Sequence, residues 1–328
     1  MHFDVFNGDA DGIIALLQLR LAEPKTSQLV TGVKRDIELL QQVDVNQAKS
    51  VTVLDISMEK NHTALVELLN SGVDVFYADH HRVGDIPQSE RLTSLIDTDA
   101  NTCTSLIINH YLGGKYAHWA VAAAFGDNMN QSAMALAEQL GISATDQELL
   151  KQLGIVINYN GYGNDIGDLH YHPKDLYQAL LEYPDPLLLV NQSGSIFEKL
   201  NQAYQADIAL AESAQVVADN DICQIVLLDD APWARRVSGV YGNLLANRNP
   251  DKAHAVLTKN SQSNSEPNAD SEVSYTVSLR APLNNKQGAG DICVQFPTGG
   301  GRSAAAGINQ LPENLLENFV EAVTKYYQ

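Results

Sequence analysis

Asp79-His80-His81 places a carboxylate beside two imidazoles, the side chains that hold a divalent cation or move a proton near neutral pH. The alternating apolar run Val73-Asp74-Val75-Phe76 precedes them and Arg82 follows, so the cluster is delivered at the end of a strand. Ligands of open α/β sheets bind at the carboxyl ends of the strands, which makes the position as informative as the composition. Two other runs end in the same way: Phe3-Asp4-Val5-Phe6 leads into Asn7-Gly8-Asp9-Ala10-Asp11-Gly12, and Val51-Thr52-Val53-Leu54 leads into Asp55. Asp9 and Asp11 stand in a glycine-bracketed turn from which both carboxylates can converge above a helix start. A plain turn with one capping aspartate uses the same residues. The threefold repetition of strand, acidic tip and helix favours a metal-ligand edge.

Helical patterns over 13–22, 63–69, 105–112, 118–125, 133–140 and 146–157 separate or follow these strands. The alternation predicts an α/β domain with a doubly wound, mainly parallel sheet. Leu95-Ile96-Asp97 adds a strand, after which Thr98, Thr102 and Thr104 approach a helix start; Thr104 is a candidate phosphate contact, with helix capping as the other reading. The alanine-rich helix ending at Gly126 brings Asp127 to the same edge. Asn158-Tyr159-Asn160-Gly161-Tyr162-Gly163-Asn164 reads as a surface loop, a base-stacking wall being the alternative. His170 and His172, without zinc-like partners, read as structural.

The first domain is expected over 1–190 and a linker over 191–219, with a long helix from Ser195 to Ala218 that starts on a capping box of Ser195 and Glu198. A smaller mixed-sheet α/β domain is expected over 220–328, with strands Ile222–Leu228, Ala253–Leu257, Val273–Leu279 and Asp291–Phe296 and a polar hairpin loop from Thr258 to Glu272. Gly299-Gly300-Gly301-Arg302 precedes a small-residue run read as a helix; the free backbone N–H groups and the guanidinium suit a phosphate or carboxylate.

The 328 residues allow two cored domains. Lys+Arg 21 against Asp+Glu 40 gives a net charge of -19, which repels long nucleic acid and points to a short substrate or to bound cations; solubility alone also accounts for it. Cys103, Cys223 and Cys293 are scattered and give neither a disulfide framework nor a zinc knuckle. The first residues lack a basic flank and a long apolar core, and no run is long enough for a membrane span. A cytoplasmic protein is expected, with no membrane partner.

Asn7-Gly8-Asp9-Ala10-Asp11-Gly12, Asp55, Asp79-His80-His81 and Gly126-Asp127 resemble, in order, the four motifs of the DHH phosphoesterase superfamily, and Gly299-Gly300-Gly301-Arg302 resembles the glycine motif of the DHH-associated C-terminal domain. The resemblance covers nearly the whole chain. It implies a metal domain, a linker helix and a substrate domain with the active site in the cleft between them. It also implies two Mn²⁺ or Mg²⁺ ions that cleave phosphodiester or phosphoanhydride bonds. Carried over, Asp9 and Asp55 hold one ion. Asp11, Asp55, His80 and Asp127 hold the other, Asp55 bridges them, and His81 meets the scissile phosphate. Arg302 with Gly299, Gly300 and Gly301 holds a second phosphate. Two positions depart from the pattern: Asn7 stands where many members carry histidine, offering an amide oxygen to the first ion instead, and Arg302 stands where the glycine motif usually ends in histidine.

The function expected is a metal-dependent phosphodiesterase acting on short oligonucleotides or dinucleotides such as nanoRNA or pGpG, as an oligoribonuclease does. A pyrophosphatase or exopolyphosphatase-related activity on polyphosphate is the enzymatic alternative. A nucleotide-binding regulatory module without turnover is the non-enzymatic one. A homodimer is left open.

Overall fold

The computed structural model describes residues 1–260 and 273–328. The first half runs β1 (His2–Phe6), α1 (Ala10–Ala22), β2 (Gln28–Val30), β3 (Ser50–Leu54), α2 (Met58–Asn70), β4 (Asp74–Asp79), β5 (Leu92–Ile96), α3 (Thr104–Tyr111), α4 (Ala117–Gly126), α5 (Asn130–Gln139), α6 (Ala144–Gly161), α7 (Pro173–Leu180), α8 (Pro186–Val190) and α9 (Ile196–Glu212). The second half continues with β6 (Gln215–Asp219), β7 (Cys223–Leu228), α10 (Pro232–Arg248), β8 (Ala253–Lys259), β9 (Ser274–Arg280), α11 (Ala289–Cys293), β10 (Gly299–Gly301), β11 (Ala305–Pro312) and α12 (Leu316–Tyr327). The chain divides into two compact units within α9, Met1–Ala203 and Tyr204–Gln328.

In the first unit the five strands are all parallel, in the order β2-β1-β3-β4-β5. The order reverses between β1 and β3, and that switch point is where loops diverge and leave a crevice above the carboxyl edge. Alternation along the strands sets the faces. Phe3, Val5, Val51, Val53, Val75 and Tyr77 pack with Leu65 and Leu68 of α2 in one apolar cluster. On the other face α1 is buried from Ala10 to Arg20, Pro24 stands just beyond its end, and α4 is buried almost throughout. α4 and α6 cross at backbone contact: a Cβ on Gly154 would lie 1.9 Å from the carbonyl oxygen of Ala122. That crossing fixes the end of α4, and with it Asp127.

α6 extends through Gly161, and Asn158, Tyr159 and Asn160 are buried, which corrects the surface loop expected there. The polar groups of this turn have internal partners: the Tyr159 hydroxyl lies 2.8 Å from His170 Nε2, and the Asn160 carboxamide exchanges two hydrogen bonds with the Tyr171 backbone. His172 caps α7, accepting the Lys174 N–H at 3.1 Å.

Among the described residues the second unit holds a mixed six-stranded sheet, β10-β11-β9-β8-β7-β6, parallel only between β7 and β8. Three sequence expectations change here. The helix begun by Ser195, whose hydroxyl accepts the Glu198 N–H at 3.3 Å, stops at Glu212, and the β-branched pair Val216-Val217 goes instead into edge strand β6. The run 291–296 is not a strand: Ala289, Ile292 and Cys293 bury one face at helical spacing in α11 while Val294 is 67% exposed. Gly299–Gly301 form β10 against β11, and the small-residue run after Arg302 is strand rather than helix, with Ala306 and Ile308 alternating into the core. Of the hairpin loop expected from Thr258 to Glu272, the start completes β8 and residues 261–272 lie outside the described residues. Among the described residues no helix is long and apolar enough to cross a membrane.

Candidate metal centre

The carboxyl ends of β1, β3 and β4 meet the start of α3 and the end of α4 at the switch point. β1 ends at Phe6, and the Asn7 N–H donates to the Leu54 carbonyl at 3.2 Å, so the turn after β1 is tied to β3. Asp9 then caps α1, its Oδ1 accepting the Gly12 N–H at 3.0 Å. Asp11, fully buried in the first turn of α1, accepts the N–H groups of Thr104 and Ser105, one on each oxygen, both at 2.7 Å. Its charge thus sits on the positive end of α3.

Asp55 follows β3 in the left-handed region, φ 59°, which Asp and Asn tolerate better than other side chains. Its N–H donates to the Ala78 carbonyl, which ties β3 to β4, and its Oδ1 accepts the Thr104 hydroxyl at 3.1 Å. His80 follows β4. Its Nδ1 lies 2.9 Å from the Thr102 carbonyl, an acceptor only, so Nδ1 carries the proton and Nε2 presents a lone pair. That nitrogen faces Asp55 Oδ1 at 3.5 Å, Asp127 Oδ2 at 3.8 Å and Asp11 Oδ2 at 3.9 Å. These separations are too long for hydrogen bonds. Three carboxylates and one lone-pair nitrogen at such spacing could hold a hard-to-borderline divalent ion such as Mg²⁺ or Mn²⁺. Two groups of three ligand atoms, Asp55, His80 and His81 and then Asp11, His80 and Asp127, each lie within 4.8 Å of one another.

The electrostatics call for a cation. Burial first, then Asp11, Asp9, Asp127 and Asp79, push the Asp55 carboxyl well above its ordinary range. Burial and then Asp127 raise Asp11 in the same direction. Asp79, at the end of β4, accepts His81 Nδ1 at 2.7 Å, while its Oδ2 is buried with no hydrogen-bond partner among the described residues. The His81 ring packs edge-on to His80 with centroids 4.5 Å apart and keeps 32% of its side chain exposed, so it stands at the mouth of the centre.

The expected ligands Asp11, Asp55, His80 and Asp127 are therefore brought together, with His81 beside them. Asn7 is not. Its carboxamide oxygen accepts the Asp9 N–H and its amide donates to the Lys34 carbonyl, both at 3.2 Å, so the side chain holds the turn rather than facing the cluster. Asp9 lies close by, but its Oδ2 is paired with Lys34 Nζ at 2.5 Å. Thr104 is fully buried beneath the carboxylates, where its hydroxyl and N–H orient Asp55 and Asp11 instead of facing a phosphate. Arg302 and the glycines belong to the second unit: Gly300 and Gly301 are exposed on edge strand β10, and the exposed Arg302 donates its N–H to the Ala305 carbonyl at 2.9 Å.

The side chain of this cluster that sequence reasoning passed over is Lys34. Its signal was present. Leu29-Val30 is one more short apolar run, followed by Thr31-Gly32-Val33-Lys34-Arg35, another strand tip that here carries cations. Lys34 Nζ lies 3.3 Å from Asp127 Oδ1 and 3.2 Å from Asn158 Oδ1, and 5.3 Å from the centre of the Tyr162 ring. Burial alone would lower its pKa, but Asp9, Tyr162 and Asp127 around it hold it well above the ordinary lysine value.

No protein-family model matches the sequence, and no curated protein matches it. Solved structures do. The chain is similar to exonuclease RecJ bound to manganese, with a TM-score of 0.56 at 18% identity over 99% of this chain and 90% of that one. It is similar to PggH, a pGpG-specific phosphodiesterase from Vibrio cholerae, with a TM-score of 0.55 at 12% identity over 100% and 99%. RecJ in complex with Mn²⁺ from Thermus thermophilus gives 0.58 at 16% identity, over 99% of this chain and 52% of that one. At these identities the likeness is one of fold. The protein has the RecJ-like two-domain α/β fold, a parallel sheet followed by a mixed one, which is the fold that the DHH resemblance implies.

Proposed function

We propose that the protein is a DHH-type phosphoesterase, dependent on Mn²⁺ or Mg²⁺, that hydrolyses phosphodiester bonds of short oligonucleotides or dinucleotides. The observation that carries this reading is the convergence of Asp11, Asp55, Asp127 and the lone pair of His80 at the switch point of a parallel sheet. Asp11, Asp55, Asp127 and His80 would hold a divalent ion, which when bound would supply Lewis-acid polarisation of a phosphoryl group and a water of lowered pKa. The protein's own groups do the rest. The N–H groups of α3 and the Thr104 hydroxyl fix the carboxylates. His80 is held in the metal-binding tautomer by the Thr102 carbonyl. His81, oriented by Asp79 and partly exposed, contacts the scissile phosphate. Arg302 with Gly299, Gly300 and Gly301 holds a terminal phosphate of the substrate.

A short substrate follows from the charge of -19, which opposes a long polyanion. Nucleotide rather than polyphosphate is supported by Tyr162, a half-buried aromatic beside Lys34 at the margin of the centre. The test is a hydrolysis screen in Mn²⁺ over pGpG, pApA, longer RNA, pyrophosphate and polyphosphate, with Asp55→Ala as control. Turnover of the 5′-phosphorylated dinucleotides is expected, with a loss in Asp55→Ala of at least about 100-fold, the scale of removing one preorganised charge-stabilising group. Hydrolysis of the anhydrides alone would move the reading to a pyrophosphatase. Absence of any hydrolysis, or undiminished turnover in Asp55→Ala, would overturn it.

A further inference from the structure

The DHH resemblance brings two ions, and the residues present fit only one. The set expected for the other ion, Asn7, Asp9 and Asp55, is not arranged to take it. Asn7 spends its amide oxygen on the Asp9 N–H, Asp9 Oδ1 accepts the Gly12 N–H, and Asp9 Oδ2 accepts Lys34 Nζ. We propose that Lys34 is the resident cation of this centre, its ammonium standing in the place of a second metal between Asp9 and Asp127, so that the protein binds a single divalent ion.

Three observations carry this. First, the ammonium is fully satisfied: its three N–H bonds have three oxygen acceptors, Asp9 Oδ2, Asp127 Oδ1 and Asn158 Oδ1, and the Tyr162 ring flanks it. Second, Asp127 is divided between two cation positions, Oδ1 toward Lys34 and Oδ2 toward His80 Nε2 and the metal ligands. Third, the backbone is built to bring Lys34 in. Its N–H donates to the Gly161 carbonyl at 2.8 Å at the end of α6, its carbonyl accepts from Asn7, and the loop before it presses on the Asp9 turn so closely that a Cβ on Gly8 would lie 1.8 Å from the Gly32 carbonyl oxygen. The Asn7 amide thus braces the backbone of the turn that carries Lys34. An ammonium supplies positive charge but, unlike a second metal ion, would not lower the pKa of a bound water.

This inference rests on the phosphoesterase reading, and its test separates the two. Mn²⁺ is titrated by calorimetry into the full-length protein and into Lys34→Ala, and the saturated samples are examined by electron paramagnetic resonance. The expected results are one ion per wild-type chain with the six-line spectrum of isolated Mn²⁺, and two ions in Lys34→Ala with an exchange-coupled spectrum. Lys34→Met, which keeps the aliphatic stem, serves if the alanine variant fails to fold. Asp9→Asn is expected to leave the wild-type stoichiometry at one. Two coupled ions in the wild type, or one ion in both the wild type and the Lys34 variants, would overturn the proposal. If two ions bind and dinucleotides are hydrolysed, the phosphoesterase reading stands and this inference fails. If no ion binds and nothing is hydrolysed, both fail.

Discussion

The middle of the parallel sheet and its carboxyl end bury carboxylates in opposite ways. In the middle of β1 Asp4 is fully buried, and both of its oxygens are paired. Arg20 reaches it through Nε at 2.9 Å and Nη2 at 2.5 Å, the Ser27 hydroxyl at 2.6 Å and His2 Nε2 at 3.0 Å. Arg20 also donates to the Thr52 hydroxyl at 3.1 Å. At the carboxyl end Asp9, Asp11, Asp55, Asp79 and Asp127 crowd together with Lys34 as the ammonium among them, and Asp55 and Asp11 are held above their ordinary range. The same residue type is matched by an arginine within the sheet and left in excess at the proposed metal centre. Local charge imbalance, rather than burial or hydrogen bonding, distinguishes the proposed site, since both places are buried and bonded.

This contrast breaks most visibly under Asp-to-Asn substitution. Within β1 Asp4→Asn leaves Arg20 buried without its anion, and the expected loss is about 3–5 kcal/mol, read from the urea unfolding midpoint at pH 7. A smaller effect comes from acid. Burial raises the Asp4 pKa, but His2, Arg20 and Ser27 overcome it and hold Asp4 at about 2 against 3.8. Because the folded state has the lower value, the contribution is complete above pH 3.8 and is lost as pH falls through 2. Its size is about 2 kcal/mol. Unfolding curves taken between pH 5 and 2 should show this loss in the wild type and not in Asp4→Asn; equal acid slopes would remove Asp4 from the structural role. Smaller again is Thr104→Val, which removes the hydroxyl that orients Asp55 and keeps the shape. Mn²⁺ affinity should fall by about 10–100-fold, as for other groups that orient metal ligands, and an unchanged affinity in calorimetry would mean that Asp55 is held without it.

Much of the first unit was legible because its signals are local. Apolar runs ending in Asp9, Asp55 and Asp79 give strands and their tips directly, and a parallel sheet brings consecutive tips to one edge without further information. The gathering of Asp11, Asp55, His80 and Asp127 at that edge followed from that rule together with the resemblance to the DHH motifs. What the sequence hid was pairing across long separations. Asn7 looked like a ligand until Asp9 and Lys34 were seen to use its amide, and Thr104 looked like a phosphate contact until its burial under Asp55 was seen. Lys34 itself was overlooked because β2 is only three residues long, too short for alternation to register. In the second unit the errors are those of small and apolar residues with weak preference: 291–293 are helical and 305–307 are strand, the opposite of the expectation, because sheet and core packing decided there.

The central claim, that the carboxyl end carries unneutralised charge for a metal, is tested most directly by thermal unfolding of the wild type and Asp55→Asn with and without Mn²⁺. The left-handed backbone at φ 59° suits asparagine as well as aspartate, so the substitution removes charge without backbone cost. Metal-free Asp55→Asn is expected to be more stable than the wild type by about 1 kcal/mol, the usual gain when a functional site is relieved of strain. Its melting temperature should not respond to Mn²⁺, whereas that of the wild type should rise with Mn²⁺ concentration. A destabilised Asp55→Asn that still gains stability from Mn²⁺ would contradict the account.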